Sequence, residues 1–259
     1  MSAMLSLRNV WVEYGDKIVL ERVNLDIAER SFVSIVGPSG AGKSTLLRLL
    51  LGQEAPTRGR ISLDGIPLKA ECASDRGVVF QRYSVFPHLD ARGNVLFGLE
   101  CARAPFTGRL FGAARRAAVA EADAMLEAVG LGDSGHLYPA EMSGGMQQRL
   151  AIGQALIKRP RILLLDEPFG ALDPGIRRDM HTLITRLWRE HRLTIAMVTH
   201  DIAEAFALAT RVLTLDKRRH DPQAPHRYGA TAVYDLALSR RVAAESAACG
   251  SKSDVMSGS

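Results

Sequence analysis

Residues 37–45 read Gly37-Pro38-Ser39-Gly40-Ala41-Gly42-Lys43-Ser44-Thr45, three glycines leading into a lysine and two hydroxyls. Glycine permits backbone turns that aim successive N–H groups at an anion, and a helix beginning at the same place adds partial positive charge. The spacing G-x-x-x-x-G-K-[ST] is that of a phosphate-binding loop. Lys43 is placed to reach the β- and γ-phosphates of a nucleotide, and Ser44 to bind Mg2+. Residues 162–168 read Ile162-Leu163-Leu164-Leu165-Asp166-Glu167-Pro168, an apolar run ending in two acids. Neighbouring strand residues point to opposite faces, so the two carboxylates can do different work. Asp166 suits the Mg2+ shell, and Glu167 suits polarising an attacking water as a general base.

Such residues need a frame that brings them together. The apolar runs 32–36, 78–80, 162–165 and 193–198 are short and rich in β-branched residues or leucine. They predict strands covered on both faces, as in a parallel sheet. Each run is followed by polar residues: Gly37, Gln81, Asp166 with Glu167, and His200 after Thr199. In open α/β sheets the ligand site lies beyond the carboxyl ends of the strands, so four segments would deliver these residues to one crevice. Leu46, Leu47, Leu49 and Leu50 continue the phosphate loop as an apolar-periodic helix. Upstream, Leu5, Leu7, Val10 and Val12 alternate with polar residues, as do Val23, Leu25 and Ile27, and Ile61 and Leu63 after a turn at 56–59. That period of two predicts half-buried antiparallel strands. Val119, Ala122, Met125, Leu126 and Val129 recur at three- and four-residue steps, with Gly130 as a stop, which predicts a helix over 109–129. The region of about 87–158 reads as an inserted helical subdomain.

Composition limits the rest. A chain of 259 residues with 47% hydrophobic and 24% charged residues can bury a core and is not a disordered polymer. No stretch approaches the ~20 apolar residues of a membrane helix. Arg8, Glu13 and Asp16 interrupt the N-terminal region, so no secretory leader is expected. Cys72, Cys101 and Cys249 form neither a disulfide framework nor a metal pair, and a reducing compartment is expected. A net charge of +5 is mild and selects no partner.

Met142-Ser143-Gly144-Gly145-Met146-Gln147-Gln148-Arg149, lying between Gln81 and Asp166, resembles the signature of the ABC transporter ATP-binding subunits. The resemblance covers about 5–216. It implies a P-loop NTPase core with a mostly parallel sheet, an N-terminal antiparallel β subdomain and an inserted helical subdomain. It implies ATP and Mg2+ as ligands, with Gln81 joining Ser44 and Asp166 at the metal. Tyr14 would stack on the adenine, and His200 would contact the γ-phosphate. Asp173, in Gly170-Ala171-Leu172-Asp173, would lie at a dimer seam. Ser143, Gly144 and Gly145 open a helix and would form a second anion site. The family's arrangement implies a head-to-tail homodimer with ATP between the phosphate loop of one subunit and Ser143 of the other.

The sequence departs from the family pattern at Met142, Met146, Gly153 and Gln154, and none of these is Lys43, Asp166, Glu167 or His200. With no spans of its own, the chain would require a separate permease and a solute-binding protein, at the cytoplasmic face of the cell membrane. The form Phe169-Gly170-Ala171-Leu172-Asp173 with Met146 resembles the nitrate/sulfonate/taurine branch of bacterial importers. The cassette is expected over 4–216, with no regulatory C-terminal domain. A basic and then small, polar tail follows over 217–259, its end expected to be disordered. A soluble ABC ATPase acting on nucleic acid or in cluster assembly is the alternative, and no nucleic-acid partner is expected.

Overall fold

The computed structural model describes residues 3–68, 75–81, 84–104, 108–219, 221–224 and 226–238. The chain begins with an antiparallel sheet. β1 (Ala3–Tyr14) and β2 (Lys17–Ala28) form a hairpin across Gly15, whose φ of 56° needs no Cβ penalty. Leu5, Leu7, Val10 and Val12 all point inward; the period slips between Leu7 and Val10, where Asn9 takes φ 51° and the register shifts. β3 (Phe32–Val36) and α1 (Lys43–Leu51) follow, then β4 (Arg58–Leu63) and β5 (Ile66–Pro67), which return to the first sheet in the order β2-β1-β4-β5.

The second sheet takes β3, β6 (Arg76–Val79), β7 (Ile162–Asp166), β8 (Thr194–Val198), β9 (Arg211–Asp216) and β10 (Thr231–Ala237), in the order β10-β9-β3-β8-β7-β6. All are parallel except β10, which runs antiparallel to β9. The strand expected at 78–80 therefore starts at Arg76 and stops before Phe80. Between β6 and β7 stand α2 (Ala91–Arg103), α3 (Gly112–Ala128) and α4 (Gly144–Leu156). α5 (Pro174–Glu190) and α6 (Ile202–Leu208) flank β8 in sequence.

The unbroken apolar runs have a simple cause. Leu163, Leu165, Ile195 and Met197 face one core, shared with Val95, Leu126, Leu150 and Leu183 of the helices. Ile162, Leu164, Ala196 and Val198 face a second core, shared with β1, β2 and α1. A strand between two cores has no solvent face on which to place polar residues.

The sheet also continues past the boundary expected at 216. Residues 231–237 form β10, and Arg211 holds Asp235 by two bonds of 2.6 and 2.5 Å. The reading of 217–259 as a tail is corrected there: β10 is mostly exposed on both faces, so it carries no periodic apolar signal. The disorder expected at the end of the chain lies outside the described residues, as do Cys72 and Cys249.

Candidate active site

The phosphate loop is shaped by close packing. A Cβ on Gly37 would fall 2.2 Å from the Leu215 carbonyl oxygen of β9. Gly40 and Gly42 take φ of 80° and 78°, and a Cβ on Gly42 would lie 2.7 Å from Leu20 Cδ2. Gly42 is the N-cap of α1, whose first turn contains no acid, so the helix itself places no negative charge at its N-terminus. Lys43 is 8% exposed, and its Nζ donates to the carbonyls of Gly37 (2.8 Å) and Pro38 (3.1 Å). The ammonium is thereby held over the loop. Ser44 is exposed beside it, and Thr45 is buried.

Asp166 ends β7. Burial raises its carboxyl above the usual carboxylate range and the Glu167 charge adds to this, while Lys43 and Arg48 oppose it. A half-buried carboxylate at the end of β7 is a hard oxygen donor of the kind that holds a divalent cation, although it does not itself line the cavity of Lys43 and Ser44. Among the described residues no three His, Cys, Asp or Glu gather to cage a metal. Mg2+ suits such a place, because it keeps waters and phosphate oxygens in its shell.

Glu167 follows at φ 46°, a left-handed conformation, with its N–H donating to Val198 O (2.9 Å). Non-glycine residues hold such angles only where the surroundings enforce them. The turn carries the Glu167 carboxylate off the strand, and its Oε2 lies 3.3 Å from His200 Nδ1. A Cβ on Gly170 would lie 3.8 Å from His200 Cε1 and 3.9 Å from Gln81 Nε2, so the loop after Glu167 passes between these two side chains. His200 is positioned from behind. Thr199 donates to Glu204 Oε2 (2.6 Å), Asp201 accepts from Glu204 N–H (3.1 Å), and His181 Nε2 sits 3.0 Å from Glu204 Oε1. His181 packs edge-on against Phe169 at 5.0 Å.

Tyr14 ends β1, 46% exposed, with its hydroxyl bonded to Glu54. Burial, then the Glu54 contact, raises its phenol above the ordinary value. A cavity of about 410 Å³ runs from Tyr14 past Ser39, Gly40, Gly42, Lys43, Ser44 and Thr45 to Glu167. The sequence reading missed Lys17, Ile18, Val19 and Lys217, which line the same cavity.

Ser143, Gly144, Gly145 and Asp173 do not line that cavity. Ser143 caps α4, accepting from Met146 N–H (3.3 Å), and the first turn of α4 has no acid. Gly145 lets α4 close on α5, since a Cβ there would lie 2.7 Å from Ile176 Cγ2. Asp173 caps α5 ahead of Pro174. Met142 is buried in the core shared with the helices. Arg149 Nη1 donates to Val129 O (3.0 Å) and so closes the end of α3.

A phosphate loop and an acid-ended strand opening on one crevice, at the carboxyl edge of a mostly parallel sheet, define a P-loop nucleoside triphosphatase. The particular lineage comes from comparison. Residues 20–170 match the family model described as ABC transporter. The nitrate import ATP-binding protein NrtD of Synechocystis sp. is 43% identical over 204 residues, 79% of this chain and 73% of its own length. The aliphatic sulfonates import ATP-binding protein SsuB 2 of Xanthomonas axonopodis pv. citri is 43% identical over 212 residues, covering 82% and 67%. The sulfate/thiosulfate import ATP-binding protein CysA of Thermosynechococcus vestitus is 41% identical over 215 residues, and this chain spans only 61% of its length. A solved dimeric, post-hydrolysis state of the ATP-binding cassette MJ0796, bound to ADP and Pi, superposes with a TM-score of 0.71 at 31% identity, covering 92% of this chain and 100% of that one. The chain belongs to the ABC transporter family, as an ATP-binding cassette of ATPase class.

Proposed function

We propose that this chain is the ATP-hydrolysing subunit of a bacterial importer for a small solute of the nitrate, sulfonate or taurine kind. It would act as a head-to-tail homodimer beneath a separate membrane permease, at the cytoplasmic face, with a solute-binding protein on the other side. One observation carries the catalytic part. Glu167 lines the crevice of Lys43 and Ser44 while its carboxylate touches His200. Glu167 accepts a proton from water as the water oxygen attacks the γ-phosphorus. The bond to the β–γ bridging oxygen breaks, and ADP and phosphate leave. Lys43 holds the β- and γ-oxygens, and His200 orients the γ-phosphate. Ser44, Asp166 and Gln81 would hold Mg2+, which when bound supplies positive charge to the phosphate oxygens.

Assembly rests on what lies outside the crevice. Ser143, Gly144 and Gly145 present a capped helix N-terminus with no acid, away from their own phosphate loop. A second subunit turned head-to-tail gives that terminus a γ-phosphate to meet. Coupling rests on the stretch after Gln81. Phe86 is half-buried, its ring 4.7 Å from Phe97, which is 39% exposed, and Pro87 is exposed beside it. An aromatic pair at the surface of the helical subdomain suits a short helix of a permease. Among the described residues no helix is long and apolar enough to cross a membrane, which supports a separate spanning subunit. The solute class rests on the names of the nitrate and sulfonate relatives at 43% identity; the sulfate/thiosulfate and spermidine/putrescine proteins at 41% leave cargo to the permease and binding protein.

The test is affinity purification from native membranes, followed by ATPase assay. A multi-span subunit that co-purifies and raises hydrolysis supports the importer. A soluble ATPase recovered with nucleic acid or a cluster-assembly protein instead would overturn it.

A further inference from the structure

Residues 226–230, in a stretch expected from sequence as a solvated tail, form a strap against β2 at the wall of the nucleotide crevice. Ile18 N–H donates to His226 O (3.0 Å), Glu21 N–H to Ala230 O (2.8 Å), and Ala230 N–H to Val19 O (2.9 Å). The approach requires Gly229, where a Cβ would lie 2.8 Å from Ile18 Cγ2 and 2.9 Å from the Glu21 nitrogen. Glu21 is 8% exposed, and its carboxylate accepts from Arg219 and from Gly229 N–H (3.2 Å). Arg219 in turn lies over the Tyr228 ring at 4.3 Å. Residues 226–230 and Arg219 are thereby fixed against β2.

The residue that follows β9 lies at the phosphate loop. Lys217 follows β9 two residues after Leu215, the residue against which Gly37 packs. Its N–H is held by Asp216 Oδ1 (2.7 Å), and its half-buried side chain lines the cavity of Ser39, Gly40, Lys43 and Ser44. Among the described residues on that lining, Glu167 is the one carboxylate, alongside Lys17, Lys43 and Lys217. The geometry points to Lys217 as an additional nucleotide-binding residue, an ammonium set at the end of β9 beside the phosphate loop. This rests on the ATPase reading above and goes beyond it, because no signature motif of the sequence includes this lysine. A triphosphate carries several negative charges, and one rim ammonium in partly solvated surroundings changes affinity by about five- to tenfold.

Equilibrium binding of MgATP to the full chain tests it, with Lys217→Ala, Lys217→Arg and Arg218→Ala. Arg218 is the adjacent residue and lines a separate cavity with Arg22 and Asn24. The expected result for Lys217→Ala is a Kd raised about five- to tenfold that grows less steeply with salt than the parent's. Lys217→Arg should return to within about twofold of the parent, and Arg218→Ala should stay there. Equal affinity of Lys217→Ala and the parent overturns the role of Lys217 and leaves the ATPase reading standing. Equal weakening by Arg218→Ala assigns the effect to the segment's general charge or integrity and also overturns it. A parent that binds no MgATP overturns both.

Discussion

Replacing Glu167 by glutamine removes the proposed base while keeping its shape, and the structure sets the size of each consequence. The partner of the carboxylate, His200, is 63% exposed at 3.3 Å. A pair so solvated is worth at most about 1 kcal/mol. The φ of 46° at this position burdens glutamine as it does glutamate, so that strain does not change. Stability should therefore move by less than about 1 kcal/mol, a melting shift of a few degrees at this chain length. Nucleotide contacts at Lys43 and Ser44 are untouched, so the Kd for MgATP should stay within about threefold. Hydrolysis should fall by about 10²–10⁴, equivalent to ~2.7–5.5 kcal/mol of barrier. Phosphate release, nucleotide binding and size-exclusion chromatography with ATP measure the three effects, and a dimer trapped by ATP should appear. Glu167→Gly offers an internal contrast: it should lose comparable rate yet gain about 1 kcal/mol of stability by relieving the left-handed angle. A folded Glu167→Gln protein that hydrolyses ATP within about tenfold of the parent would refute the assignment of the base.

Mixing Lys43→Ala with Ser143→Arg subunits should restore partial ATP binding through one intact composite site; heterodimers present without recovery would count against the head-to-tail arrangement. Phe86→Ala should cost only about 1–2 kcal/mol, because the ring is half-buried against Phe97, and should leave basal ATPase within about threefold while weakening permease association in a pull-down. Gly153→Ala should stabilise α4 by up to ~1 kcal/mol in urea titration, since a Cβ there meets Met125 and Val129 at an ordinary 3.5–3.6 Å. Hydrogen bonding from Arg211 lowers the Asp235 carboxyl below the usual aspartate value of about 3.9. The pair therefore stabilises the fold above that pH and loses its effect as pH falls toward the lower folded value. Asp235→Asn should cost about 0.5 kcal/mol at pH 6 and nothing once the parent's carboxylate is protonated, as urea midpoints at the two pH values would record.

What the sequence made legible follows from what packing demands of neighbours in the chain. Phe32, Val33, Ile35 and Val36 lie between two cores, so the strand is apolar throughout and visible as a run. Gly37 and Gly42 are dictated by contacts within a few ångströms and Gly40 by its φ of 80°, and their spacing is visible as a motif. β10 answers to a partner instead. Tyr234 and Leu236 are 64% and 47% exposed, and the strand is held by its ladder to β9 and by Arg211. Nothing local in 231–237 encodes that ladder. Lys217 was missed for a similar reason, since its place at the crevice follows from β9 pairing beside β3, a contact between residues nearly 180 positions apart. The Glu204 contacts with Thr199 and His181 span 5 and 23 positions, and the longer of these leaves no periodic trace. The split of the polar residues between the crevice and the α4 terminus was legible only through resemblance, because spacing alone does not say which anion a glycine-rich cap will meet.

The exposed strand β10 has a bearing on how the molecule behaves in a crowded solution. Without it, β9 would present a free row of N–H and C=O groups behind the wholly apolar face of Leu213 and Leu215. Such an edge recruits other chains by strand addition. β10 covers it and itself ends the sheet with an acid, Asp235, in place of an unbroken apolar segment. Residues 231–237 therefore act as a guard against self-association as much as a contribution to the core. A chain cleaved or truncated between β9 and β10 could keep Lys43, Asp166 and Glu167 in place and still be lost to aggregation.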